Sequence, residues 1–289
     1  MAPQTIELTD ETAGTLTLGG ELTVRRLGFG AMRITGDGIW GPPEDRDGAV
    51  ATLRRAVELG VNLIDTANSY GPYVSEELIA EALHPYPDDL AIATKGGLTR
   101  AGPSQWAPDG RPEHLREACE GSLQRLRVDR IDVYQLHAPD PNVPYEESVG
   151  ALKELQDEGK IRLVGVSNVS VEELDTAREI VPVVTVQNRF NLSDRSSEDV
   201  LEHCQELGLG FIPWFPLSSG SLAGPGGPLD EIAARHDAAA AQIALAWLLA
   251  RSEVMLPIPG TSSVQHLEEN VAAAGIELGE QELAELNEV

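Results

Sequence analysis

Eight times along this chain a short apolar run is followed by a stretch with helical periodicity. The runs are Phe29–Met32, Asn62–Asp65, Leu90–Thr94, Ile131–His137, Arg162–Val166, Val183–Gln187, Gly210–Trp214 and Val254–Ile258. The helical stretches after them are Asp47–Leu59, Ser75–Ala82, Pro112–Leu126, Tyr145–Glu158, Val171–Ile180, Ser197–Leu207, Ala238–Ala250 and Ser263–Ala274, with a short extra one at Leu229–Arg235. Strict alternation of this kind predicts a parallel sheet with helices outside it. Eight such units suit an α/β fold, a single (β/α)8 TIM barrel. No break in composition divides residues 1–289, so one domain is expected. Ahead of it, Thr15–Leu18, Gly19-Gly20 and Glu21–Val24 read as a β-hairpin with a two-residue turn, and residues 1–13 read as flexible.

The competing fold is an open, doubly wound sheet, which calls for a glycine-rich phosphate turn after its first strand. Leu27-Gly-Phe-Gly30-Ala-Met-Arg33 lacks the third glycine and is not followed at once by a helix. No Walker A sequence occurs either. Local signals agree with the helix boundaries. Gly60, Gly159 and Gly208 stand where a helix wants a left-handed end. Ser170 with Glu173 and Ser262 with Gln265 read as capping boxes, and Pro112 suits a first turn.

Charge narrows the partners. With 21 Lys and Arg against 47 Asp and Glu, the net charge is −26. Such a chain lacks the basic field that nucleic acids and anionic membranes require. The two cysteines, Cys119 and Cys204, fall in helices and read as packed free thiols. The first residues have neither the basic nor the apolar part of a signal peptide. The longest apolar run, Ile243–Ala250, is too short to span a bilayer. The expectation is a cytoplasmic protein acting on a small molecule.

In a barrel, strand C-terminal ends and the loops beyond them carry the chemistry. Three loops qualify: Thr35–Asp45 with Trp40, Leu98–Arg111 with Trp106, and the Gly/Pro/Ser-rich Ser218–Pro228. Polar groups end three consecutive strands: Asp65, Lys95 and His137, with Tyr70 in the loop after Asp65. A lone Asp in Asp-Thr-Ala most often caps a turn, and a lone strand-end Lys is usually solvated. Converging over an apolar floor, the four have a use. A phenol with pKa about 10 is a weak acid at neutral pH. A nearby ammonium stabilises its phenolate and lowers that pKa, and a carboxylate keeps the ammonium charged. A neutral imidazole can orient the same oxygen. Together they could protonate a carbonyl oxygen as charge builds on it. Taken alone, these residues leave two chemistries open: reduction, and Schiff-base formation through Lys95 as in an aldolase-type barrel.

Asp65-Thr-Ala-Asn-Ser-Tyr70-Gly71, Ala93-Thr-Lys95-Gly-Gly97, Asp132-Val-Tyr-Gln-Leu-His137 and Gly165-Val-Ser-Asn168 resemble the aldo-keto reductase superfamily. The resemblance runs in register over nearly the whole chain. It implies a (β/α)8 barrel that binds a nicotinamide dinucleotide without a Rossmann domain. It implies Tyr70 as general acid/base, Lys95 and Asp65 tuning it, and His137 orienting the carbonyl. It assigns the nicotinamide carboxamide to Ser167, Asn168 and Gln187, ring stacking to Trp214, and the pyrophosphate side to Leu217 and Ser219. The adenosine end matches Gly260, Thr261, Ser262, Ser263, His266, Glu269 and Asn270. Gly260 and His266 stand where the family usually has a Lys and an Arg for the 2′-phosphate. The family habit favours NADP(H), with NAD(H) as the other option. The chain stops at Val289, without the long C-terminal substrate loop of some members, so substrate selection falls to Met32, Trp40 and Trp106. Gly30–Pro43 and Ile258–Leu267 look like the short bacterial members that include pyridoxal reductases, and pyridoxal suits an aromatic cleft. The fold is shared by redox-sensing, cofactor-binding channel subunits with slow turnover, a different class of function.

Overall fold

A single curled sheet of seven parallel strands organises the computed structural model, which describes residues 6–216 and 228–289. The chain enters through a one-turn helix α1 (Asp10–Ala13) and an antiparallel hairpin of β1 (Thr15–Leu18) and β2 (Leu22–Arg25). Leu8 and Ala13, in the segment expected to be flexible, are buried, and the Leu8 N–H donates to the Leu59 carbonyl at 2.7 Å. The hairpin turn holds Gly19, Gly20 and Glu21 between the paired Leu18 and Leu22, so it has three residues rather than two.

The parallel strands are β3 (Phe29–Gly30), β4 (Leu63–Asp65), β5 (Ala91–Gly96), β8 (Ile131–Leu136), β9 (Ile161–Ser167), β10 (Val183–Arg189) and β11 (Gly210–Trp214), adjacent in that order. Between β5 and β8 lies a second hairpin, β6 (Leu98–Gly102) with β7 (Gln105–Pro108), where a loop was expected. The helices α2 (Arg46–Glu58), α3 (Val74–Leu83), α4 (Pro112–Leu126), α5 (Tyr145–Asp157), α6 (Val171–Ile180), α7 (Glu198–Leu207), α8 (Pro228–Arg235), α9 (Ala240–Arg251) and α10 (Val264–Ala272) match the sequence reading within two residues at each end. A last helix, α11 (Glu280–Asn287), was not foreseen. The Ser170–Glu173 capping box is present. The second is not: the cap of α10 is Ser263, whose Oγ accepts from the His266 N–H. Among the described residues no helix is long and apolar enough to cross a membrane.

The eighth unit closes the fold without forming a regular strand. Val254–Pro259 is buried and runs between β11 and β3. Phe211 N–H donates to the Val254 carbonyl and Leu256 N–H to the Phe211 carbonyl, both at 2.8 Å. On the other side Gly28 N–H donates to Pro257 O at 2.9 Å and Gly30 N–H to Pro259 O at 3.4 Å. Pro257 and Pro259 have no N–H to return, so no two-way ladder can form there. The architecture is the (β/α)8 barrel with an N-terminal hairpin.

Period two along each strand sorts the barrel interior into layers. Leu63, Ala91, Ala93, Val133, Leu163, Ile212, Leu256 and Ile258 form one buried cluster, and Leu18 and Val24 of the hairpin join it. Each large aliphatic side chain buried there stabilises the fold by roughly 1.5–3 kcal/mol. Farther along the strands the same inward positions turn polar: Asp65 on β4, Lys95 on β5 and Gln135 on β8 two residues on, and Ser167 on β9 four residues on, past Gly165. The apolar layers are thus the floor on which the polar layer stands.

Candidate active site

Lys95 and Asp65 form a fully buried ion pair, Nζ to Oδ1 2.5 Å, and Lys95 Nζ also donates to the Thr66 carbonyl at 2.8 Å. The other carboxylate oxygen accepts from Gln135 Nε2 at 3.1 Å and from Gln187 Nε2 at 2.9 Å. Three side chains on three strands therefore hold one carboxylate, which is how a buried charge becomes tolerable. Gln135 was missed in the sequence. The signal was there, since Gln135 sits two residues before His137 on β8 and pairs in register with Lys95. Its space is set by Gly165, where a Cβ would lie 2.8 Å from Gln135 Cγ and 2.3 Å from Thr185 Oγ1.

Tyr70 is delivered by the loop after β4. The loop is pinned by Thr66 N–H to Ala93 O (2.8 Å), Tyr73 N–H to Asn68 O (2.8 Å), and a Thr66–Ser75 hydroxyl pair (2.7 Å). Lys95 Nζ lies 5.3 Å from the centroid of the Tyr70 ring. Burial pushes the Tyr70 phenol above its usual range; Lys95 pulls the other way, and Asp65 adds to the rise. The expected net lowering by Lys95 is therefore reversed, because desolvation of the phenolate outweighs one ammonium already shared with a carboxylate. Burial alone would lower the Lys95 ammonium; Asp65 and Tyr70 outweigh it and raise it. A charged, buried, carboxylate-bound ammonium is the wrong state for a Schiff-base nucleophile, which must be neutral and reachable. His137 is held well below its usual range by burial and by Lys95, so it is neutral at neutral pH. Ser69 Oγ stands 3.4 Å from its Nδ1.

Above these groups opens a cavity of about 610 Å³, lined by Asp65, Tyr70 and His137 at its floor. Met32 and Trp106 line it, together with Ile39 and Leu98. Trp106 meets Tyr70 edge-on, with centroids 6.2 Å apart. Trp40 is not part of the lining; it faces the Arg100 guanidinium at 5.7 Å. Ser167, Asn168, Gln187 and Trp214 also line the cavity. They are fixed to one another: Ser167 Oγ donates to Gln187 O (2.7 Å), Asn168 Nδ2 to His137 O (2.9 Å), and Trp214 Nε1 to Asn168 Oδ1 (2.9 Å).

Gly260 reaches the cavity, together with Arg33, which the sequence reading did not single out. A Cβ at Gly260 would lie 2.5 Å from Gly30 O, so the barrel closure leaves no room for a side chain where a Lys was missing. Thr261, Ser262, Ser263, His266, Glu269 and Asn270 lie along the loop into α10 and on that helix, outside the cavity wall. Thr261 Oγ1 accepts from Ser263 N–H at 3.0 Å, the Ser262 carbonyl accepts from Thr52 Oγ1 at 3.2 Å, and His266 is exposed. Leu217 and Ser219 lie outside the described residues.

A sequence model of the aldo/keto reductase family matches residues 26–289. Over 276 residues the chain is 53% identical to an uncharacterized oxidoreductase of Schizosaccharomyces pombe, covering 96% of this chain and 90% of that one. It is 42% identical over 282 residues to the pyridoxine 4-dehydrogenase of Escherichia coli K12, covering 96% and 98%. An aldo-keto reductase from Klebsiella pneumoniae, solved in complex with NADP and acetate, superposes with a TM-score of 0.80 at 29% identity, covering 95% of this chain and 94% of that one.

Proposed function

The chain belongs to the aldo/keto reductase family, and from that premise we propose that it reduces an aldehyde or ketone to the alcohol with NADP(H), Tyr70 acting as the general acid. One observation carries the reading: a neutral His137 and a protonated Tyr70 share a cavity floor above the Lys95–Asp65 pair.

Ser167, Asn168 and Gln187, which also line the cavity, suit a nicotinamide amide. Gln187 spends its Nε2 on Asp65 and keeps Oε1 as an acceptor, while Ser167 Oγ and Asn168 Oδ1 each keep a lone pair. Trp214 supplies the aromatic face beside them. When bound, the dinucleotide supplies a hydride to the carbonyl carbon. Everything else is done by the chain. Tyr70 and His137 bind the carbonyl oxygen and orient it. As negative charge grows on that oxygen, Tyr70 gives it the phenolic proton. The phenolate left behind faces the Lys95 ammonium, and Asp65, pinned by Gln135 and Gln187, keeps that ammonium charged. Run backwards, the same groups take a proton from an alcohol.

Pyridoxal is the candidate substrate. It is a flat aromatic aldehyde, the cavity wall bears Trp106, and the Escherichia coli relative is a pyridoxine 4-dehydrogenase. NADP(H) is favoured over NAD(H) because the Klebsiella pneumoniae neighbour was solved with NADP. The hydroxyls of Thr261, Ser262 and Ser263, at the N-terminus of α10, offer a phosphate hydrogen bonds there.

The test is steady-state oxidation of NADPH and NADH with pyridoxal and a panel of aldehydes and ketones. Tyr70→Phe should abolish turnover and leave the dissociation constant for NADPH nearly unchanged. Wild-type-like turnover in that variant would remove Tyr70 from its role. Tight cofactor retention with negligible turnover on every carbonyl would instead mark a redox-sensing binding module.

A further inference from the structure

The acid machinery sits on strands, but the aromatic wall above it sits on the β6–β7 hairpin, and a hairpin needs an anchor to hold a ring in place. We propose that Arg100 is that anchor: a positioning residue that clamps Trp106 edge-on over Tyr70 and His137, and so selects flat aromatic carbonyl compounds over small aliphatic ones. The proposal rests on the carbonyl-reductase reading above.

Arg100 and Trp106 are direct cross-strand partners in the hairpin. The Arg100 guanidinium carbon lies 3.7 Å from the centroid of the Trp106 ring, a stacked cation–π contact. Trp40 lies farther off, at 5.7 Å, and every hydrogen-bond partner of the guanidinium is a backbone carbonyl. Nε donates to Gln105 O at 3.1 Å; Nη1 to Ile39 O at 2.8 Å and Ser69 O at 3.1 Å; Nη2 to Gly38 O at 2.8 Å and Gly102 O at 3.3 Å. Five bonds match the five N–H groups of a guanidinium, a set no other side chain can supply.

Those carbonyls come from three segments. Gly102 and Gln105 belong to the hairpin itself. Gly38 and Ile39 belong to the turn after β3, and Ile39 lines the cavity. Ser69 immediately precedes Tyr70, and its hydroxyl stands beside His137 Nδ1. A second tie, Ser104 N–H to Gly38 O at 2.9 Å, holds the hairpin tip to the same turn. The plane that stacks on Trp106 is thus indexed against the loop that carries the acid. Trp106 meets Tyr70 at 87° and His137 at 64°. Held at that angle on the cavity wall, the indole offers a flat substrate an aromatic surface beside the acid.

The experiment uses Arg100→Met, which keeps the apolar stem, and Arg100→Lys, which keeps the charge without the fork. Steady-state kcat and KM are measured with NADPH for pyridine-4-carbaldehyde and for propanal. Acrylamide quenching of Trp106 is isolated by comparison with Trp106→Phe. In Arg100→Met, kcat/KM for the aromatic aldehyde should fall about tenfold through KM, while propanal changes less than about twofold. Quenching of Trp106 should rise, and the dissociation constant for NADPH should stay put. Arg100→Lys should recover at most part of the selectivity. An unchanged aromatic-to-aliphatic ratio in Arg100→Met, with unchanged Trp106 quenching, overturns the clamp. If the wild type reduces no carbonyl compound, the reductase reading fails instead, and the quenching comparison alone still decides whether Arg100 holds Trp106.

Discussion

Replacing Asp65 by Asn tests the electrostatic logic of the whole site. The side chain keeps its shape but loses its charge and one acceptor. Asp65 faces donors on both oxygens: Lys95 Nζ on one, Gln135 and Gln187 on the other. Either orientation of an Asn amide points N–H groups at a donor. The Lys95 ammonium is left buried without its partner, a loss of roughly 3–5 kcal/mol. With an m-value near 3 kcal/mol/M in urea, the unfolding midpoint should fall by about 1–2 M. The pH dependence gives a second check. In the wild type the folded Lys95 pKa is raised. Its stabilisation is complete below the unfolded value of about 10.4 and is lost only as pH rises through the higher folded value. In Asp65→Asn burial is opposed only by the neighbouring Tyr70, itself uncharged at neutral pH, so the folded pKa drops below the unfolded one. The variant is penalised most at low and neutral pH and recovers as pH climbs toward about 10.4. Urea unfolding followed by circular dichroism at neutral and alkaline pH measures both effects. A midpoint within about 0.3 M of wild type at neutral pH, or a gap that widens in alkali, would refute the argument.

Other outcomes follow from the same geometry. Because His137 is held well below its ordinary range and Tyr70 above its own, kcat/KM for reduction should be level from about pH 6 to 9. An acidic limb centred near 6.5 would mean that His137 titrates as a free imidazole. Ser170→Ala removes the hydroxyl half of the α6 capping box, leaving the Glu173 carboxylate on the residue-170 N–H, and should lower unfolding stability by about 1 kcal/mol, read from the urea midpoint. Burial pushes the thiols of Cys119 and Cys204 up to about 12, so neither should react with an aromatic disulfide reagent until the chain is unfolded. Rapid labelling of the native protein would contradict their packing.

Much of this was legible in the residues because period two and period 3.6 are written directly into the chain. The same pattern that marks β8 places Gln135 and His137 on one face, although only His137 drew notice. What escaped notice depends on partners far away in sequence. The run Val254–Ile258 has strand composition, but Pro257 and Pro259 deny it a ladder. The cap of α10 falls at Ser263 rather than Ser262 because the Ser262 carbonyl is tied to Thr52 on another helix. Trp40 reads as a cavity aromatic from its loop; Arg100, sixty residues away, draws it elsewhere. The direction of the Tyr70 shift could not be read from residue types, since it depends on how deeply the ring is buried.

The proline-interrupted join has a bearing on how the molecule resists heat. Around most of the barrel each strand is tied to its neighbour by a two-way ladder. Between the first and last units the backbone bonds among the described residues are those of Gly28 and Gly30 to the carbonyls of two prolines. The closing contact also spans the longest stretch of sequence in the sheet, so it is the costliest to form. Yet Gly30, Ile258, Pro259 and Gly260, from both sides of this join, line the same cavity. Any occupant of that cavity grips both lips at once, and its binding free energy works directly against the opening of the ring.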